Sequence, residues 1–89
     1  MTTNAPGVLL DGNVLAGVLD ELLAADPTTV LVECRHCGAH GPLGGTVVEA
    51  DGVAFIVRCR GCTRTLLTVL RRAGRVEMRL AGAASLAPA

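Results

Sequence analysis

The segments Cys34-Arg35-His36-Cys37-Gly38 and Cys59-Arg60-Gly61-Cys62 hold all four cysteines of the chain. Two residues separate the cysteines of each pair, and 21 residues separate Cys37 from Cys59. The short spacing lets a tight turn, or knuckle, direct both sulfurs of a pair toward one ion. Two knuckles supply four thiolates, which is the donor set of a tetrahedral structural zinc ion. The pattern predicts one Zn2+ per chain, bound by Cys34, Cys37, Cys59 and Cys62.

Other uses of the cysteines stay open at this stage. A redox dithiol is disfavoured because both pairs lie among expected strands, without the helix of a thioredoxin-like unit. An iron site of the rubredoxin type has the same four thiolates, and two disulfides would use the same residues. His36 and His40 lie close in sequence to Cys37, but four cysteines already fill the tetrahedron. We therefore expect both histidines to be exposed loop residues, with His40 as the spare ligand.

The size of the chain also favours stabilisation by a bound metal ion. Its 89 residues suffice for one domain, and 51% of them are hydrophobic. Phe55 is the only aromatic residue, so the core must be built from aliphatic side chains. Small domains with few large core residues are often stabilised by a metal ion.

One β-hairpin is expected on each side of the second cysteine pair. Asp51-Gly52 is a strong two-residue turn signal between residues 46–50 and 53–58. That turn would place Val48 opposite Phe55. Ala73-Gly74 separates residues 65–71 from 75–81, where apolar and charged residues alternate with the period of a strand. This second turn would place Leu67 opposite Leu80 and Val69 opposite Met78.

One helix is expected before the cysteines. Asp11 or Asn13 can cap it, and its apolar residues recur at helical spacing to about residue 24. A strand over residues 28–33 would lead into Cys34, and residues 38–45 read as a loop. The expected fold is a small β domain of the zinc-ribbon type, with two hairpins, two knuckles and one N-terminal α-helix. Its limits are residues 11–81, between a flexible lead-in at 1–10 and a frayed tail at 82–89.

The charge distribution argues against strong nucleic-acid binding. The net charge is zero, and all eight basic residues are arginines that follow residue 34. Arg72, Arg75 and Arg79 are a candidate phosphate-binding face, although alternating charges more often form the solvated face of a strand. Single-strand binding also needs aromatic stacking platforms, which Phe55 alone would have to supply.

The sequence carries no pattern of an enzyme or a membrane protein. Ser85 is the only serine, no glycine-rich phosphate loop precedes a helix, and a four-cysteine zinc site leaves no open coordination position. No apolar run is long enough to cross a membrane, and no secretory signal is visible. We expect a cytoplasmic protein that is not an enzyme.

The chain resembles a group of short, uncharacterised actinobacterial proteins that are predicted to carry a zinc ribbon. The resemblance rests on Asp11-Gly12-Asn13 with Ala16-Gly17, on Cys34-x-x-Cys37-Gly38 with Gly41-Pro42-Leu43, and on Cys59-x-Gly61-Cys62 with Leu66-Leu67. It covers most of residues 10–81 and implies a metal and a fold, but no function.

The functional hypothesis is a structural zinc ribbon that acts as a protein-interaction or adaptor module. The apolar face of the N-terminal helix would contact a protein partner or a second copy of the chain. The contacting residues would be Leu15, Leu19 and Leu22. The alternative is a ribbon associated with nucleic acid in transcription. A redox or metal-handling protein is a third, less favoured class.

Overall fold

A computed structural model of the chain describes residues 8–19 and 26–89. Within these ranges, eight strands form two antiparallel sheets. The larger sheet has the order β1-β4-β5-β6-β7, and the smaller has the order β3-β2-β8. The strands are β1 Val8–Asp11, β2 Leu31–Cys34, β3 His40–Pro42, β4 Val47–Asp51, β5 Ala54–Arg58, β6 Thr65–Arg72, β7 Arg75–Leu80 and β8 Ala83–Ala87.

The expected helix begins where the sequence places it. The carboxylate of Asp11 accepts a hydrogen bond from the backbone N–H of Asn13 at 2.9 Å, and a 3₁₀ turn over Gly12–Val14 leads into helix α1, Leu15–Val18. The continuation to residue 24 lies in the segment 20–25, outside the described residues. No helix in the described ranges is long and apolar enough to span a bilayer.

The apolar face of α1 is part of the protein's own core. Leu15 and Leu19 have no exposed surface, and they join Val48, Val57 and Leu67 in one buried cluster. Because Leu15 and Leu19 are fully buried in the chain's own core, they have no exposed surface for the partner contact that the sequence predicts. Leu22, the third residue of that prediction, lies outside the described residues.

The register of the second hairpin is confirmed, whereas that of the first is wrong. Leu67 pairs with Leu80 and Val69 with Met78, as the Ala73-Gly74 turn requires. In the first hairpin Phe55 pairs with Ala50, not with Val48. Asp51 pairs with Ala54, so the turn lies one residue later than expected. The pairing partner shifts by two residues, which keeps the same side chains on the apolar face.

Both ends of the expected domain extend further than the sequence suggests. The tail is not frayed, because β8 pairs with β2 and the side chain of Ala83 is buried. The lead-in expected at 1–10 also contains pairing residues, since β1 begins at Val8 and pairs with β4. The expected loop at 38–45 contains the short edge strand β3 and a 3₁₀ turn over Leu43–Gly45.

The Asp11-Gly12-Asn13 segment has a structural role. The N–H of Gly12 donates to the carbonyl of Thr46 at 2.9 Å, and a Cβ atom at position 12 would lie only 1.7 Å from the carbonyl oxygen of Leu43. Only glycine fits so close to another backbone segment. These residues thus fix the start of α1 against the turn before β4.

Candidate metal centre

The first knuckle, residues 34–38, begins at the last residue of β2. The N–H of Gly38 donates to the carbonyl of Cys34 at 3.0 Å, which closes a tight turn around the first cysteine pair. The N–H of Cys34 donates to the carbonyl of Ala39 at 2.8 Å. Gly38 has φ +77°, a left-handed conformation that glycine adopts without steric cost.

The second knuckle, residues 59–63, repeats this geometry between β5 and β6. The N–H of Thr63 donates to the carbonyl of Cys59, and the N–H of Cys59 donates to the carbonyl of Arg64, both at 2.9 Å. Thr63 takes the position of Gly38 and has φ +66°. A β-branched residue is strained in this conformation. The two knuckles therefore have the same hydrogen bonds but unequal backbone strain.

The knuckles bring the four cysteine sulfurs together. All four sulfurs lie within 4.8 Å of one another. The Cys34 Sγ–Cys62 Sγ and Cys37 Sγ–Cys59 Sγ distances are both 3.6 Å. A tetrahedral ion with metal–sulfur bonds of about 2.3 Å requires sulfur–sulfur distances of about 3.8 Å. The sulfurs are too far apart for disulfides, whose S–S bond is about 2.05 Å, and all four cysteines are free. The cluster could hold one metal ion.

The chain belongs to DUF6510, a family of unknown function. The family model matches residues 2–89, which is nearly the whole chain and includes both knuckles. No curated protein and no solved structure is significantly similar to the chain. Family membership thus supplies no activity, and the chemistry of the site must come from its own residues.

Backbone hydrogen bonds favour the thiolate form of Cys34. The backbone N–H of Cys37, with further contributions from the N–H of His36 and the neighbouring thiols, lowers the pKa of Cys34 to about 7, against the opposing effect of burial. Cys37 behaves in the opposite way. The N–H of Ala39 lowers its pKa, but the Cys59 thiol, burial and the two other thiols together raise it to about 11. Without a cation the cluster therefore holds protons that a metal would displace.

The two histidines stand apart from the cluster. His36 and His40 are exposed, and no histidine belongs to the metal-binding group found in the described ranges. His40 pairs with Glu33 across β2 and β3. Cys34 and Cys59 are buried, Cys62 is partly buried and Cys37 is exposed. The cluster thus lies at the boundary between core and solvent.

Hydrogen bonds to neighbouring turns hold each knuckle to the rest of the fold. The N–H of Arg35 donates to the carbonyl of Gly82 at 2.7 Å, just before β8. The guanidinium Nε of Arg60 donates to the carbonyl of Gly45 at 2.7 Å. The positive charges of Arg35 and Arg60 would offset part of the net charge of −2 that zinc with four thiolates carries. The structure shows in addition that the Arg60 side chain ties the second knuckle to the turn before β4.

The candidate phosphate-binding arginines share one face of β6 and β7 with an acid. Arg79 Nε lies 2.6 Å from Glu77 Oε2, and an Arg72 guanidinium nitrogen lies 3.5 Å from Glu77 Oε1. The hydrogen bond and charge of Arg79 lower the pKa of Glu77. Arg72 and Arg75 pair across the hairpin. Two of the three arginines are therefore engaged by a carboxylate.

Sequence reasoning missed a groove beside the cysteines. A cavity of about 150 Å³ lies between β3 and the second knuckle, next to Cys34 and Cys59. Its lining includes Val32, Leu66 and Pro42. Residues 40–42 were expected to belong to a loop. The sequence therefore did not indicate that β3 lies opposite the second knuckle and lines one side of the groove.

Proposed function

We propose that the chain is a structural zinc ribbon that acts as a protein-interaction module. The observation that carries the proposal is the convergence of four free cysteine sulfurs at distances that suit tetrahedral coordination by zinc. Zinc is the first choice because the site offers sulfur donors alone on two short knuckles. Reduced cysteine pairs also suit a reducing compartment such as the cytoplasm.

The proposed metal role is structural rather than catalytic. Four thiolates fill the coordination shell of zinc, so no position remains for a water molecule or a substrate. The ion would join β2, β5 and β6 at their ends, because the two knuckles extend directly from these strands. Zinc binding would then contribute to folding in a chain whose described core is aliphatic.

Protein is favoured over nucleic acid as the partner. Glu77 engages both Arg72 and Arg79, which would have to release it before they could contact phosphates. Phe55 is only partly exposed and packs against the core. The centroid of its ring lies 6.0 Å from the guanidinium carbon of Arg71. The ring therefore does not offer a free face for base stacking.

The interaction surface must lie outside the described part of α1. Leu15 and Leu19 are buried, whereas large exposed apolar residues lie on β1 and β7, the two edge strands of the larger sheet. Leu9 on β1 is 69% exposed and Leu80 on β7 is 62% exposed. Edge strands also carry unpaired backbone groups that can accept another strand.

Mobility-shift titration of the metal-loaded protein with DNA and RNA tests the choice of partner class. At about 0.15 M salt, where exposed charges are screened beyond about 8 Å, we expect no tight complex. The Arg75→Ala and Arg79→Ala variants should then behave like the parent chain. Tight binding that weakens steeply with salt and is lost in these variants would overturn the protein-interaction proposal in favour of a nucleic-acid-associated ribbon.

A further inference from the structure

Strand β7 has a free edge that is longer than the other edges of the fold. In the described ranges β7 pairs with β6 alone, and its six residues exceed the four of β1, the three of β3 and the five of β8. Proline at the end of β3 and the short length of β1 limit pairing at those edges. Strand β7 is therefore the best template for an added strand.

The backbone groups at this edge can be assigned from the hairpin. The N–H of Ala81 donates to the carbonyl of Leu66 at 2.9 Å, so the odd-numbered residues of β7 form the hydrogen bonds to β6. The N–H and C=O groups of Val76, Met78 and Leu80 consequently point to the free edge. Their side chains lie on the apolar face of the sheet, since Leu80 pairs with Leu67 and Met78 pairs with Val69.

The charges on the opposite face of β7 are self-complementary. Arg75, Glu77 and Arg79 alternate with the apolar residues, and the side chains of Glu77 and Arg79 are 49% and 64% exposed. If two copies of β7 pair antiparallel about Met78, Glu77 of each copy lies opposite Arg79 of the other. The same register places Val76 opposite Leu80, which covers the exposed leucine at the sheet edge.

The neighbouring registers are unfavourable. A shift of two residues keeps the same backbone groups in contact but changes the opposing side chains. In one direction Glu77 lies opposite its own copy and Arg75 lies opposite Arg79. In the other direction Arg79 lies opposite its own copy. Like charges directly opposite each other destabilise strand pairs, so the charge pattern selects the register about Met78.

We propose that a second copy of this chain docks at the free edge of β7, forming a two-fold dimer with one continuous sheet across both copies. The inference gives a specific surface and occupant to the proposed interaction role. An interface made by one strand from each copy is small, and its dimer should dissociate on dilution. The zinc content of each sample is measured separately, so absence of the metal and absence of the dimer are distinguishable outcomes.

Charge exchange between Glu77 and Arg79 gives the sharpest test. The Glu77→Arg and Arg79→Glu variants each place like charges opposite each other at two positions of the dimer. Each should weaken self-association by about tenfold or more. An equimolar mixture of the two variants should restore a heterodimer, because every pair at the interface is then of opposite charge. Arg72→Glu is the matched control, since it changes the charge as Arg79→Glu does and also removes a partner of Glu77 but lies on β6.

Sedimentation velocity of metal-loaded samples is the measurement. At concentrations on the order of 100 µM we expect dimers for the parent chain and for Arg72→Glu, monomers for each β7 variant, and dimers again in their mixture. Circular dichroism verifies that every variant is folded. A parent chain that stays monomeric, or a dimer that both β7 variants leave intact, would overturn the proposal. Monomers in the mixture would overturn it equally, because rescue depends only on charges from different chains.

Discussion

At the residue scale, the position after each cysteine pair distinguishes the knuckles. Gly38 and Thr63 make equivalent hydrogen bonds at positive φ, but only Thr63 has a β-branched side chain there. The structure places the positive φ at Thr63 because the second knuckle has the hydrogen bonding of the first.

Thr63→Gly should therefore stabilise the folded protein. The left-handed conformation costs a non-glycine residue about 1–2 kcal/mol, and the greater chain entropy of glycine offsets about half of that gain. We expect a net increase of about 0.5–1 kcal/mol in the free energy of unfolding, measured by urea denaturation of the metal-loaded protein.

Gly38→Thr is the reciprocal variant. No atom lies within 4 Å of a Cβ built at position 38, so any cost arises from the backbone conformation rather than from a clash. We expect destabilisation of similar size. A stable Gly38→Thr protein together with an unstable Thr63→Gly protein would show that the knuckles do not share this geometry.

The cysteine thiols predict how metal affinity depends on pH. Protons compete with the metal for the sulfurs, so affinity falls as the pH falls. The Cys37 thiol has a pKa of about 11 and stays protonated at neutral pH, so its proton competes with the metal throughout the neutral range. Cys34, with a pKa of about 7, adds a further proton only below neutrality. Chelator competition at several pH values between about 6 and 8 should give a steeper fall below pH 7 than above it. A pH-independent affinity would contradict thiolate coordination.

At the scale of elements, the two hairpins were predicted from their turn residues and from the alternation of apolar and charged side chains, not from composition. The second hairpin was predicted in the correct register because Ala73-Gly74 and the alternation from Arg75 to Leu80 both specify it. Asp51-Gly52 marked the first turn only to within one residue, because Asp51 belongs to β4. Local signals thus found the hairpins, whereas cross-strand packing decided the exact pairing.

Two of the missed strands, β3 and β8, lack local strand signals. Strand β8 is built of alanine, serine and leucine, and β3 contains glycine and proline. Both form because β2 offers an edge on each side. The cysteine spacing predicted the four-cysteine cluster without these strands, because each knuckle needs only a few consecutive residues.

Removal of β8 tests its structural role. A chain that ends at Gly82 loses one of the two partners of β2 and uncovers Val32, which is buried next to the first knuckle. Several backbone hydrogen bonds, each contributing about 0.5–1.5 kcal/mol, should be lost, and we expect destabilisation of at least about 2 kcal/mol. A chain that ends at Ala87 keeps β8 and is the control. Equal urea midpoints for the two truncated chains would support the original expectation of a frayed tail.

At the scale of the whole molecule, the two knuckles join elements that are distant in sequence. The first follows β2 of the smaller sheet, and the second connects β5 to β6 of the larger sheet. Cys34 and Cys59 are members of the same buried cluster as Leu15 and Leu67. A metal ion at this place would therefore tie both sheets to one core. The sequence predicted the donor set but not this arrangement, because it gave no sign of a second sheet.

Metal content is the most direct test of the central claim that four cysteines hold one structural zinc ion. Elemental analysis of reduced, folded protein should give one zinc per chain. Cys34→Ser, Cys37→Ser, Cys59→Ser and Cys62→Ser should each release the metal, and chelation of the parent chain should abolish its folded circular dichroism signal. His36→Ala and His40→Ala, the matched controls beside the site, should keep the full zinc content. A folded and reduced parent chain without zinc, or loss of zinc in His40→Ala equal to that in a cysteine variant, would contradict the account.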